Sequence, residues 1–113
     1  MSVTVNGASK WTTTEIVTEG SSNNISIIGG TPDGSKTLSL NIGTFQPGTG
    51  SYTIFNSSAG VSTTAVYVYG PDATTFSTGQ IFVTNYSTSS MQGTFELQGP
   101  GCEVTGTFIA AIP

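Results

Sequence analysis

The sequence predicts an all-β fold: an antiparallel meander forming a single β-sandwich or a partly closed β-barrel, in one domain over residues 1–113. Three observations carry this. Met91, Gly93, Phe95 and Leu97 alternate with Gln92, Thr94, Glu96 and Gln98, and a side-chain period of two marks a half-buried strand. Turn chemistry recurs at intervals of about eight to twelve residues, the rhythm of short sheet strands. No stretch repeats apolar residues at helical spacing over the length of a helix.

Taken in order, Val3 and Val5 alternate with small polar residues in a first strand that ends at Asn6-Gly7, a strong hairpin signal. Trp11 opens a threonine-rich second strand expected to run to Thr18, followed by a loop over Gly20-Ser21-Ser22-Asn23. The third strand spans Asn24 to Ile28. The fourth, Thr37 to Ile42, places Leu38, Leu40 and Ile42 on one face. Between them Pro32-Asp33-Gly34 supplies a preset φ, a side chain that bonds nearby backbone, and tolerance of positive φ. Ser51 to Phe55 is the fifth strand, Asn56 to Gly60 a loop, Val61 to Gly70 the sixth strand, and Ala73 to Thr78 a loose connection. Gly79 to Ala110 then folds as three strands joined by two turns, which brings the expected total to nine. That last third carries Gly-Thr-Phe twice, and Phe95 and Phe108 are expected to be buried together.

Composition narrows the function classes. Charged residues make up 7% of the chain, the only cations are Lys10 and Lys36, His and Arg are missing, and the net charge is −4. Nucleic-acid binding needs clustered Lys and Arg to displace counterions, and a basic patch for anionic lipid is equally missing. Cys102 is the single cysteine, so no intrachain disulfide forms, and no His is present to activate it as a nucleophile. No apolar run reaches the roughly 20 residues of a helical membrane span.

Several features resemble a family of small, uncharacterised all-β surface lipoproteins found mainly in Bacteroidota. They are Val5-Asn6-Gly7 with Trp11, the Ile25-to-Gly29 and Thr37-to-Ile42 hairpin, Gly50-Ser51-Tyr52, Gly79-Gln80-Ile81-Phe82-Val83-Thr84, Gly93-Thr94-Phe95 and the closing Gly106-to-Phe108. The resemblance covers nearly the whole chain, and its matching residues are turn glycines and core aromatics. It implies a non-enzymatic cell-surface or extracellular binding or accessory module, with surface attachment if Met1 replaces a removed leader. The start itself, Met1 to Asn6, has neither the basic nor the apolar region of a signal peptide.

Candidate chemistry is sparse. Glu15 and Glu19 would lie roughly 13 Å apart along a strand, too far for a paired acid and nucleophile. Glu96 with Glu103 has no supporting Arg or His around it. Asp33 and Asp72 sit in separate turns without the repeated spacing of a calcium loop. Gly48-Thr49-Gly50 and Gly99-Pro100-Gly101 precede strands, so no helix N-terminus awaits a phosphate. Asn24, Asn56 and Asn85 open Asn-x-Ser sequons, which matter only in a eukaryotic secretory pathway. No catalytic, cofactor or metal site is therefore expected.

Tyr67 and Tyr69 are the candidate binding residues. In Thr64-Ala65-Val66-Tyr67-Val68-Tyr69 the valines share one face and the tyrosines the other. Either the tyrosines form an exposed platform about 7 Å from ring to ring, or they turn inward as core residues with hydroxyls reaching the rim, which leaves no binding platform on that strand. An exposed platform would suit a glycan, another surface protein or a second copy of the chain. The rival reading is a self-assembling structural subunit of a filament, coat or phage-like particle, which low charge and open strand edges would favour.

Overall fold

The structure is a computed structural model that describes residues 1–21, 24–55 and 63–112. Eleven strands are present: β1 (Ser2–Val5), β2 (Ser9–Thr12), β3 (Ile16–Ser21), β4 (Asn24–Gly30), β5 (Lys36–Ile42), β6 (Gly50–Thr53), β7 (Thr63–Tyr69), β8 (Asp72–Thr75), β9 (Thr78–Tyr86), β10 (Ser90–Gly99) and β11 (Cys102–Ala111). They form a six-stranded sheet, β2-β1-β11-β10-β9-β6, and a five-stranded sheet, β3-β4-β5-β7-β8. Every pairing between these strands is antiparallel. The two sheets pack face to face as a sandwich and do not close into a barrel.

Alternation behaves as expected where it was strictest. In β10, Met91, Gly93, Phe95 and Leu97 are buried, and Gln92, Glu96 and Gln98 are exposed. Leu38, Leu40 and Ile42 line the inner face of β5 without any exposed surface. The repeated Gly-Thr-Phe has a specific use. Antiparallel register sets Gly93 opposite Phe108 and Phe95 opposite Gly106, so each ring covers the other strand's glycine. A Cβ on Gly93 would stand 2.5 Å from the Phe108 ring, and one on Gly106 2.7 Å from the Phe95 ring. Aromatic side chains laid over strand glycines pin register in this way. Both rings are 1% exposed.

Three expectations change. The single strand expected from Trp11 to Thr18 is two strands in different sheets, β2 and β3. Thr13 is the reason. Its buried hydroxyl donates to the Gly30 carbonyl at 2.6 Å and accepts the Glu15 N–H at 3.0 Å, and its N–H donates to the Met1 carbonyl. One residue is thus bonded to both sheets, and the chain crosses there. The loose segment after Pro71 contains a strand, β8, paired to β7 through Tyr69–Asp72 to Val66–Thr75. The strand order is also not a simple meander. β6 leaves the five-stranded neighbourhood to pair with β9, and β1 pairs with β11.

The expected loop from Asn56 to Gly60, its sequon, the start of the strand expected from Val61, and the Ser22-Asn23 portion of the earlier loop lie outside the described residues. In β9 the register shifts opposite Gln92 and Gly93, leaving Thr84 unpaired. That bulge lets Val83 and Tyr86 both turn inward.

Candidate functional site

Tyr67 and Tyr69 take the second of their two arrangements: the period of two holds, and the tyrosines face inward. Tyr67 is 3% exposed, whereas Val68 is 40% exposed on the outer face. The cause lies in the partner strand. Leu38 pairs with Tyr67 and Leu40 with Ala65, and cross-strand partners share a face. The leucines of β5 therefore commit the tyrosines to the interior.

The rings do not sit 7 Å apart on a flat strand. Tyr67 and Tyr69 stack at 4.9 Å between centroids, and Trp11 from the opposite sheet stacks on Tyr67 at 6.2 Å with planes 15° apart. Trp11 is on β2, an edge of the six-stranded sheet, where its pairing with inward-facing Val3 turns it to the core. The result is a three-ring stack across the sandwich, ending at half-buried Tyr69.

This stack walls a cleft of about 290 Å³, whose lining includes Asn6, Lys10, Trp11, Lys36, Tyr67 and Tyr69. Asn6 is held by its turn. It has φ of 51° beside Gly7 at 70°, and Ala8 N–H closes back on the Val5 carbonyl at 3.1 Å. Its Oδ1 accepts the Glu103 N–H at 2.8 Å, which leaves the amide N–H groups of the side chain. Lys36 pairs directly with Tyr69 and shares the inner face with Leu38 and Leu40, at the open end of their row. Lys10, beside Trp11 on β2, pairs with Thr4 and takes the opposite face of the strand. Asp33, three residues before Lys36, commits Oδ1 to Thr31 Oγ1, Ser35 N–H and Ser35 Oγ at 2.7, 3.0 and 2.8 Å. Those bonds, the Ser35 N–H foremost, hold its carboxyl down at about 2, with a smaller contribution from Lys36.

Two buried side-chain polar atoms meet no hydrogen-bond partner among the described residues, the Trp11 indole N–H in this stack and the Thr18 hydroxyl on β3. Leaving such a donor unmade costs about 1–3 kcal/mol, and native structures rarely tolerate it without a role. Burial pushes the Tyr67 hydroxyl above its ordinary range, and the nearby Trp11 N–H pulls the other way without reaching hydrogen-bonding geometry. The cleft's lining joins the aromatic rings to polar residues, Asn6, Ser9 and Lys36 among them.

Other depressions are plainer. One of about 490 Å³ is lined by threonines, Glu15, Pro32 and Ile109 among others. Another of about 430 Å³ lies over Thr53, Gln80, Glu96 and Gln98 on the outer face of the six-stranded sheet. Neither contains a buried polar atom lacking a partner. Cys102 lines the cleft as well but is 6% exposed, on the inner face of β11. Among the described residues no three or more His, Cys, Asp or Glu gather as metal ligands, and no helix is long and apolar enough to cross a membrane.

The sequence marked Trp11, like Tyr67 and Tyr69, as an amphipathic ring able to stack on a sugar or a neighbouring subunit, but set neither lysine beside them. The lysines did carry a signal. They are the chain's only cations, and Lys36 continues the inward row of Leu38, Leu40 and Ile42. Set against protein-family models, curated proteins and solved structures, the chain matches none.

Proposed function

We propose that this protein is a non-enzymatic binding module of a cell surface or extracellular space, and that its ligand seats a hydroxyl-rich ring in the Trp11–Tyr67–Tyr69 cleft. The observation carrying this reading is the cleft's aromatic wall, in which Trp11 stacks on Tyr67 and Tyr67 on half-buried Tyr69. Aromatic faces carry negative quadrupole and attract the polarised C–H groups of a saccharide ring, while the polar residues around them take its oxygens. At about 290 Å³ the cleft lies just below the roughly 300–1,000 Å³ of small-molecule sites. That volume suits one sugar ring, with the rest of a chain outside.

Trp11 is the chain's only tryptophan, so its fluorescence reports on the cleft without labelling. Titration with a panel of mono- and oligosaccharides should change its intensity or emission maximum saturably. Tyr69→Ser should weaken that response beyond what its loss of stability, read from the unfolding midpoint, accounts for. A panel with no saturable response, or a Tyr69→Ser protein that binds as well as wild type, would remove the cleft from the reading.

A second reading, a self-assembling subunit, is favoured by the outer face of the five-stranded sheet. Val17 and Val68 are 54% and 40% exposed there, Ile28 and Val66 are half-buried between them, and Glu19 is the only charged side chain among the strand residues facing outward. Uncharged, β-branched sheet surfaces suit stacking of copies. Sedimentation across a concentration series separates the readings: a monomer at all concentrations ends the assembly reading. Association abolished by Val68→Lys supports it.

A further inference from the structure

We infer that two copies of this chain stack through the outer faces of their five-stranded sheets, about a two-fold axis along β5, and that association closes at this dimer. The inference rests on the self-association reading above and adds the symmetry and the contacts. Its basis is the register of that face. Val17, Ile28, Ser39, Val66 and Thr75 are successive cross-strand partners from β3 to β8. One row therefore crosses the whole sheet, with β-branched apolar side chains on both sides of the serine. The next row is polar but already bonded to itself. Ser26 Oγ donates to Asn41 Oδ1 at 2.7 Å, and Asn41 Nδ2 donates to Thr64 Oγ1 at 3.4 Å. Polar groups that keep their partners cost little to cover.

The face is complementary to itself. Half a turn about β5 lays each β4 over the β7 of the second copy and leaves every row on its own level. Ile28 then meets Val66 of the second copy, and exposed Val68 meets Gly30, which has no side chain to displace. Charge permits the same arrangement on a chain of net charge −4. Glu19 is the one charged strand residue facing outward, and it lies on edge strand β3, over the β8 edge of the second copy. There β8 ends at Thr75, and the Ser77 N–H is bonded to the Gln98 carbonyl of the other sheet, so no acid of β8 stands opposite. The two Glu19 side chains end four strand spacings apart, roughly 19 Å, well beyond the Debye length of about 8 Å. The molecule is 33 × 32 Å broad and 21 Å thick, so its broad side has the area that the roughly 800 Å² per partner of a standard interface takes. Each copy uses the same patch, and such a contact leaves no face for a third.

Sedimentation velocity over a concentration series should show wild type passing from monomer to dimer and no further. Ile28→Lys and Val66→Asp should each raise the dimer dissociation constant at least about tenfold, with circular dichroism unchanged because both side chains face outward. The two substitutions in one chain should restore most of the association, since the axis sets each lysine against the aspartate of the other copy. Within one chain β5 stands between the two positions, so they do not neutralise each other there. Val68→Lys is an independent variant at a position already exposed in the monomer, and it should weaken the dimer to the same degree. Species larger than a dimer, or association that the double variant does not recover, overturns the two-fold arrangement and leaves self-association standing. Dimerisation of Val68→Lys equal to wild type places the contact elsewhere and overturns it as well. A monomer at every concentration overturns both the dimer and the reading beneath it.

Discussion

Two aromatic clusters lie at opposite edges of the six-stranded sheet, Trp11 reaching in from β2 and Tyr52 from β6. In the second cluster Phe45 packs on Tyr52 at 5.9 Å and on Tyr86 at 6.1 Å. Its polar end is closed. The Tyr52 hydroxyl accepts the Gln46 N–H at 2.9 Å and donates to the Gln46 carbonyl at 3.1 Å, tying down the loop between β5 and β6. The Trp11–Tyr67–Tyr69 cluster instead borders a cleft at half-buried Tyr69, and its indole N–H meets no acceptor among the described residues. Ring packing alone does not separate architecture from recognition. The state of the polar atoms attached to the rings does.

The comparison breaks most visibly in stability. Phe45→Ala should cost about 3–5 kcal/mol, as much as Phe95→Ala between the clusters, because each empties a closed core site. Both variants should keep ligand binding wherever they remain folded. A Phe45→Ala unfolding midpoint within error of wild type would mean that the second cluster is not structural.

Hydroxyl deletion sharpens the contrast at a smaller scale. Tyr52→Phe strips two hydrogen bonds from the Gln46 backbone and should lower stability by about 1 kcal/mol. Tyr69→Phe, with no such partner to lose, should stay within about 0.5 kcal/mol of wild type. Equal losses in chemical denaturation would erase the distinction between the clusters.

Trp11→Phe tests the open end directly. It removes ring volume but also removes a buried donor with nothing to bond, and the two effects oppose each other. The net change should be about 1 kcal/mol or less, against the roughly 3–5 kcal/mol of emptying a large aromatic site. A loss as large as that of Phe45→Ala would show that the indole N–H is satisfied in the folded protein.

The smallest effects are those of pH. Burial raises the Tyr67 hydroxyl's pKa in the folded state. The stabilisation attached to its neutral form is therefore complete below the unfolded value of about 10 and is lost as pH rises through the folded value. Tyr67→Phe should flatten that alkaline loss. Asp33 has the opposite sign: its folded value of about 2 lies below the ordinary 3.8, so its contribution is present above 3.8 and fades as pH falls toward 2. A carbon-13 NMR titration of the Asp33 carboxyl with a midpoint near 4 would show that the Thr31 and Ser35 bonds do not persist in solution.

Much of the fold was legible because it rests on local physics. Strict alternation in Met91 to Gln98 and Thr37 to Ile42 named the buried faces, since a strand's side-chain period is two regardless of its neighbours. Asn6-Gly7 and Pro32-Asp33-Gly34 named their turns, since positive φ and side-chain-to-backbone bonds are properties of a few adjacent residues. The repeat of Gly-Thr-Phe announced a paired register.

What the sequence by itself determined, then, was the fold class, the strictest strand faces and the turns, together with the scarcity of charge. Tertiary structure decided which sheet receives Trp11 and which Ile16, because one threonine bonded to both sheets diverts the chain between them. It decided the face of Tyr67 and Tyr69, because valine and tyrosine rows of similar bulk are equally buriable until Leu38 and Leu40 pair alongside. It also set Trp11 of one sheet against Tyr67 of the other. Register between distant strands and the packing of one sheet on another are long-range, and no window of neighbouring residues contains them.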